Sequence, residues 1–171
     1  MLNQNEKELL YRINSNDDLR AVPERDIPEL CRDIREFLVE NVSHTGGHLA
    51  SNLGSVELTV ALHRVYDPMK DRILFDVGHQ SYVHKILTGR RDSFDTLRQL
   101  DGVSGFPKPC ESNADPFLAG HASDSVSLAA GMARARTLMH GNYDVVAVVG
   151  DGAMTGGLCF EGLSDLGASR E

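Results

Sequence analysis

Apolar residues recur every three or four positions over residues 27–42, IPELCRDIREFLVENV, and place Ile27, Leu30, Ile34, Phe37 and Leu38 on one face. Glu29, Arg32, Asp33 and Glu36 fall elsewhere around the turn, so the spacing predicts an amphipathic helix with one buried stripe. NEKELLYRI, residues 5–13, repeats the pattern on a smaller scale. Pro23 and Pro28 frame the turn between these helices, and Pro28 suits a first helical turn, where a missing N–H costs nothing. HTGGHLASNLG (44–54) is rich in glycine and polar residues and predicts a loop feeding a further helix, SVELTVALHRVY (55–66).

After Asp67-Pro68 the pattern changes to a short apolar run, RILFDVG (72–78), which predicts a buried strand. HQSYVHKILTG (79–89) reads as a helix stopped by Gly89, and SFDTLRQL (93–100) as another stopped by Gly102. Residues 101–120 have no periodicity and are dense in Gly and Pro, with little apolar area to offset the cost of ordering; the segment is expected to be mobile in the cofactor-free chain. A small-residue helix follows over 123–141, with Ser123 or Asp124 as its N-cap, then the strand DVVAVV (144–149), the turn GDGAMTGG (150–157) and a last helix, LCFEGLSDLG (158–167). Helices alternating with short buried strands and no internal repeat predict an α/β layered domain with a largely parallel sheet flanked by helices.

At 171 residues the chain has the length of one domain, and 41% apolar with 25% charged residues is a soluble globular mix. The longest apolar run, Val145 to Val149, is far short of the roughly 20 residues a membrane span needs, and MLNQNEKELLYRI lacks the basic and apolar parts of a signal peptide. Three widely spaced cysteines, Cys31, Cys110 and Cys159, without a CxxC pair imply a reduced, cytoplasmic protein and no zinc site. A net charge of −8 argues against nucleic acid as a partner. Any anionic ligand must therefore be held locally, by backbone N–H groups, a metal or a few placed side chains.

In a parallel α/β sheet, ligands sit beyond the carboxyl ends of the strands. Gly78-His79-Gln80 lies at one such end and Gly150-Asp151-Gly152 at the other, so both are expected to open on one crevice. Glycine lets a diphosphate approach the backbone, and Asp151 is a hard oxygen donor suited to magnesium; a plain tight turn with Asp151 capping the next helix is the competing interpretation. Thr155 breaks the GxGxxG dinucleotide pattern, and no Lys follows the glycines as a Walker A loop requires. Of seven histidines, His48, His79 and His121 each follow a glycine in a loop or helix start, a context that favours function over packing. His84 reads as packing, His63 and His140 as structural or solvent-facing, and His44 stays open. No histidine pair has the HExxH spacing of a helix-borne metal site.

Taken together, GHLASNLG, DVGHQSYVHKILTGR, GVSGFP, GHASDS…AAGMARAR and VVGDGAMTGG closely resemble the 1-deoxy-D-xylulose-5-phosphate synthases, a family of the transketolase-like, thiamine-diphosphate-dependent group. The likeness runs from about LLYRINSNDDLR to the last residue. It implies the N-terminal part of a thiamine-diphosphate-binding fold, and a reaction that decarboxylates pyruvate and joins the two-carbon fragment to glyceraldehyde 3-phosphate, at the head of isoprenoid, thiamine and pyridoxal synthesis. It further implies Asp151 as the Mg²⁺ ligand and Gly150, Gly152 and Ala153 as the diphosphate loop. His79, Gly120, His121 and Ser123 then touch the cofactor, His48, His79 and His121 handle substrate oxygens and protons, and the complete enzyme is a homodimer.

The chain departs from the family pattern at EGLS, where Gly162 and Ser164 stand in for a usual EALN, and at GHAS, where Ala122 replaces a serine. The family's second metal ligand, an Asn, lies beyond the 171 − 152 = 19 residues that follow Gly152, and no Asn occurs after Asn142. The activating glutamate and the substrate-phosphate grip belong to family domains outside this sequence, so these 171 residues alone are expected to be inactive. A transketolase-type ketol transferase and a non-catalytic binding or scaffold fragment are the alternatives.

Overall fold

In the computed structural model, which describes residues 8–169, the amphipathic stripe over 27–42 forms a helix from Ile27 to Thr45 (α3). Its buried face carries Leu30, Cys31, Ile34, Phe37, Leu38 and Val42, with Ile27 packed at its edge, as the spacing requires; Asp33, expected away from that face, is buried too, because its carboxylate accepts the Leu10 N–H at 3.2 Å. The chain forms two units. The first comprises the described residues up to Asp67 together with Gln80–Gly105; the second comprises Pro68–His79 together with the described residues from Phe106 onward.

The first unit is helical. α1 (Glu8–Tyr11) and α2 (Asn16–Ala21) precede α3, and α4 (Leu49–Gly54), α5 (Val56–Val65) and α6 (Tyr82–Lys85) follow it. Residues 5–7 of the first predicted helix lie outside the described residues. α2 starts at a capping box in which Ser15 and Asp18 exchange side chain-to-backbone hydrogen bonds. The Arg64 guanidinium donates to the Leu19 and Val22 carbonyls at its other end, satisfying acceptors that a helix leaves open. Arg91 does the same after α1, donating to Leu10 O and Ile13 O, both at 2.9 Å, while its guanidinium lies over the Tyr11 ring. The core joins Leu10, Leu19, Leu30, Ile34, Leu38, Val60, Tyr82, Phe94 and Leu97.

Three predicted elements of this unit are corrected. The loop over 44–54 contains α4, because Asn52, fully buried, turns its side chain inward and ties the segment into a helical turn. The helix over 79–89 begins only at Tyr82 and is α-helical through Lys85; Gly89, at φ 91, stands where the helical backbone stops, as expected. Thr88 donates its hydroxyl to His84 O at 2.6 Å, competing with the backbone ladder, and a π turn over Ile86–Arg90 follows. The helix over 93–100 is a 3₁₀ turn, Arg91–Thr96. The buried apolar residues there, Phe94 and Leu97, are three apart, the spacing at which a 3₁₀ turn stacks side chains.

His63 and His84 are both buried, and Nε2 of His63 lies 3.0 Å from Nδ1 of His84, with the rings edge-on. The solvent-facing option for His63 is thereby removed. Burial first, then His84 and Arg90, hold the His63 imidazole well below its ordinary pKa.

The second unit contains a parallel pair, β1 (Arg72–Phe75) and β2 (Val145–Val148), in the register Arg72↔Val145 to Phe75↔Val148. α7 (Ser125–Leu138) packs beside it, and α8 (Gly157–Ser169) packs on α7. The strand predicted over 72–78 ends early because Val77 (φ 60) and Gly78 (φ 87) turn the backbone out of the extended region. Gly162 at the EGLS departure is buried where a Cβ would sit 2.8 Å from Ser127 Oγ, so the missing methyl lets α8 approach α7 closely. Arg134 and Asp165 bridge the same two helices at 2.7 Å.

Within Phe106–Gly120 the chain is irregular, as expected, but better packed than its composition suggests: Ala114 and Asp115 are buried, and Asp115 Oδ2 accepts the Lys108 N–H at 2.7 Å. The three cysteines are free thiols. Among the described residues no helix is long and apolar enough to cross a membrane.

Candidate functional site

Because β1 and β2 end level, the chain leaves both strands side by side, and the Asp76 N–H still donates to Val148 O at 2.8 Å. One exit carries Val77, Gly78 and His79; the other carries Gly150, Asp151 and Gly152. A third stretch, His121–Ser125, is pinned to the first: Val77 N–H donates to His121 O at 3.2 Å. The second unit thus brings the segments bearing His79, His121, Ser123 and Asp151 to one end of its sheet. His48 belongs to the first unit, where it precedes α4 as its N-cap residue without a side-chain capping bond.

Asp76 organises this end. Its buried carboxylate accepts the Ser123 N–H at 2.9 Å, the Ser125 N–H at 3.2 Å and the Ser125 hydroxyl at 2.6 Å. Ser123 then donates its own hydroxyl to Ala153 O at 2.6 Å, which links the stretch to the turn after β2. Val77 and Ser123 (φ 75) both sit in the left-handed region, a strained arrangement for side chains of their kind that the surrounding bonds sustain. Sequence reading missed Asp76; its signal was a carboxylate placed directly after the apolar run Ile73-Leu74-Phe75.

Of the two residues offered as N-cap of α7, Asp124 holds the position but makes no side-chain capping bond. Burial, and after it the neighbouring Asp76 carboxylate, push the Asp124 carboxyl above its ordinary pKa.

The turn after β2 closes through Met154 N–H to Gly150 O and Thr155 N–H to Gly152 O. Asp151 is exposed and accepts the N–H of Gly152 at 2.8 Å. Nothing lies within 4 Å of where a Cβ on Gly150 or Gly152 would stand, and neither has a positive φ. Packing and conformation therefore do not demand these glycines; their effect is bare backbone beside a carboxylate. Among the described residues no three His, Cys, Asp or Glu side chains are grouped as a metal cage.

His44, left open by the sequence, donates from Nδ1 to Glu40 O at 2.7 Å in the last turn of α3.

The model of the 1-deoxy-D-xylulose-5-phosphate synthase family matches residues 10–171. The chain belongs to this family. It is 56% identical over 159 residues to the 1-deoxy-D-xylulose-5-phosphate synthase of Natranaerobius thermophilus, covering 93% of this chain and 25% of the relative. It is 55% identical to the synthase of Clostridium acetobutylicum, covering 94% and 27%, and 55% identical to that of Thiobacillus denitrificans, covering 95% and 26%. The chain thus spans about a quarter of the length of the curated relatives it matches.

Proposed function

We propose that the chain is the N-terminal portion of the diphosphate- and metal-binding domain of a 1-deoxy-D-xylulose-5-phosphate synthase, which condenses pyruvate with glyceraldehyde 3-phosphate and releases CO₂. The observation that carries the proposal is the bare backbone of Gly150 and Gly152 on either side of exposed Asp151, at the sheet end where Asp76 fixes Ser123. A diphosphate needs such approachable N–H groups, and Mg²⁺ commonly takes only one or two carboxylates, completing its shell with phosphate oxygens and water. One protein carboxylate here therefore fits that metal better than it fits a closed protein cage.

In this proposal Asp151 would hold Mg²⁺, and the Gly150, Gly152 and Ala153 backbone would receive the diphosphate. Ser123 would set that backbone through its bond to Ala153 O, and Gly120, His79 and His121 would contribute from the adjoining loops. Thiamine diphosphate, when bound, supplies the electron sink for decarboxylation. His48, His79 and His121 would donate, accept or hold protons at substrate oxygens, a task suited to imidazole near neutral pH. The enzyme would be a cytoplasmic homodimer serving isoprenoid-precursor and thiamine synthesis. Residues 1–171 by themselves, spanning a quarter of the relatives' length, would release no CO₂.

The test is made on the full-length enzyme. Asp151→Asn is expected to weaken Mg²⁺-dependent thiamine diphosphate binding by ten- to a hundredfold, the loss of one charge-assisted contact of about 1.5–3 kcal/mol, read by calorimetry. Unchanged binding would remove Asp151 from the metal site. CO₂ release by residues 1–171 above an Asp151→Ala control would refute the inactivity of that portion.

A further inference from the structure

The first unit holds His48 by its backbone from two directions. The His48 N–H donates to the Tyr82 hydroxyl at 3.3 Å, and the His48 carbonyl accepts from Asn52 Nδ2 at 2.7 Å. The two holders are themselves joined, since the Tyr82 N–H donates to Asn52 Oδ1 at 2.8 Å. Asn52 and Tyr82 are both fully buried, while His48 is exposed. Tyr82 packs edge-on against Phe94, with ring centroids 5.9 Å apart, and Phe94 packs in turn on Phe37 at 5.6 Å. The Tyr82 hydroxyl also fills the space beside Gly47, where a Cβ would stand 2.7 Å from it.

The phenol is thus anchored in the apolar core with its oxygen under the loop that carries His48. Asn52 spends both ends of its amide on the same closed circuit. Asn52 also ties the turn of α4 and takes up the N–H of the first residue of α6; what the Tyr82 hydroxyl adds is a hold on the backbone from which the His48 imidazole projects.

We infer that Asn52 and Tyr82 are positioning residues for His48; the inference rests on the proposed role of His48 as a proton-handling group. Fixing an exposed side chain at its backbone limits it to rotation about its own χ angles, so a proton donor or acceptor keeps the reach that transfer requires. Without the phenol oxygen, the bond from the His48 N–H to Tyr82 is lost and the loop gains freedom, although the buried ring still packs.

The experiment uses the full-length enzyme with thiamine diphosphate and Mg²⁺. Tyr82→Phe keeps the ring and removes the hydroxyl; Asn52→Ala, the more disruptive change, is the second variant. Expected for Tyr82→Phe are a fall in kcat of about tenfold with KM for pyruvate within twofold and the melting temperature within a few degrees. Hydrogen exchange of the peptide containing His48 should accelerate at least tenfold, and this readout is independent of turnover. Placed on a His48→Ala background, Tyr82→Phe should change kcat less than twofold. Equal losses on both backgrounds, or unchanged exchange at His48, overturn the inference while leaving the role of His48 intact. A His48→Ala enzyme with parental kcat overturns that role instead, and with it any catalytic consequence of the circuit. Should Asn52→Ala fail to fold, Tyr82→Phe alone decides.

Discussion

The Asp76 carboxylate, directly after β1, accepts the backbone N–H of Ser123 across 47 residues of chain at 2.9 Å. Through the hydroxyl of Ser123 the same hold reaches Ala153 O. In Asp76→Asn, the oxygen can still accept from Ser123, but an NH₂ group then faces the Ser125 N–H, donor against donor. A loss of about 1.5–3 kcal/mol is expected, seen as a lower urea midpoint. The Asp124 carboxyl, now relieved of a like charge, should titrate closer to its ordinary range by NMR.

Gly78 has φ 87, and a Cβ there would stand 2.5 Å from Pro107 Cδ and 2.9 Å from the Ala119 Cβ. Gly78→Ala therefore combines a left-handed backbone, costing about 1–2 kcal/mol, with a collision against a rigid ring. The segment from Pro107 to Ala119 must move. Limited proteolysis should cut there at least tenfold faster than in the parent, and an unchanged rate would contradict the geometry.

The pH dependence of the first unit follows from His63. Its folded pKa lies below the unfolded value, so the unfolded chain takes up a proton that the folded chain refuses. Stability from this group is complete above pH 6.5 and falls as the solution is acidified below it, with a limiting slope of about 1.4 kcal/mol per pH unit. Urea midpoints measured from pH 7.5 to 5.5 should decline, and His63→Gln should flatten that decline. A parental curve without slope over this window would show that His63 is not held neutral.

Arg91 joins α1 to the rest of its unit through the Leu10 and Ile13 carbonyls and Asn14 Oδ1, with its side chain only 9% exposed. Arg91→Met keeps the length and removes every donor, at an expected cost of about 3 kcal/mol. Arg91→Lys should recover only part of this, because a single ammonium cannot reproduce the fork. Chemical denaturation of the three proteins side by side gives the order.

Helical periodicity was legible wherever one face is buried, as along α3, and so were the two strands and the polar residues at their ends. Boundaries were less so, for reasons that lie outside local pattern. The turn at Val77 is held by the His121 carbonyl, 44 positions later in the sequence, and a valine in that conformation has no sequence signature. α4 hides in a run of small polar residues because the side chain that stabilises it, Asn52, looks like a loop former until it finds Tyr82. Asp76 and Asn52 were missed for one reason: each is a polar residue that supports another, and motifs record the supported group.

Asp144 N–H meets Asp71 Oδ1 at 2.8 Å across 73 residues of chain, at the start of the parallel pair. Between the two strands the ribosome must make the whole of Gln80–Gly105, which belongs to the first unit. At synthesis rates of about 5–20 residues per second, β1 waits roughly 4–15 s for β2. Closing a longer loop adds little to the equilibrium cost, about 0.6 kcal/mol per doubling, but such non-local pairing is slow to nucleate. During that interval Ile73, Leu74 and Phe75 form an apolar segment without the strand they pair with. The sheet end that carries Asp151 thus takes shape only after β2 has been made, and until then the apolar residues of β1 are exposed to aggregation.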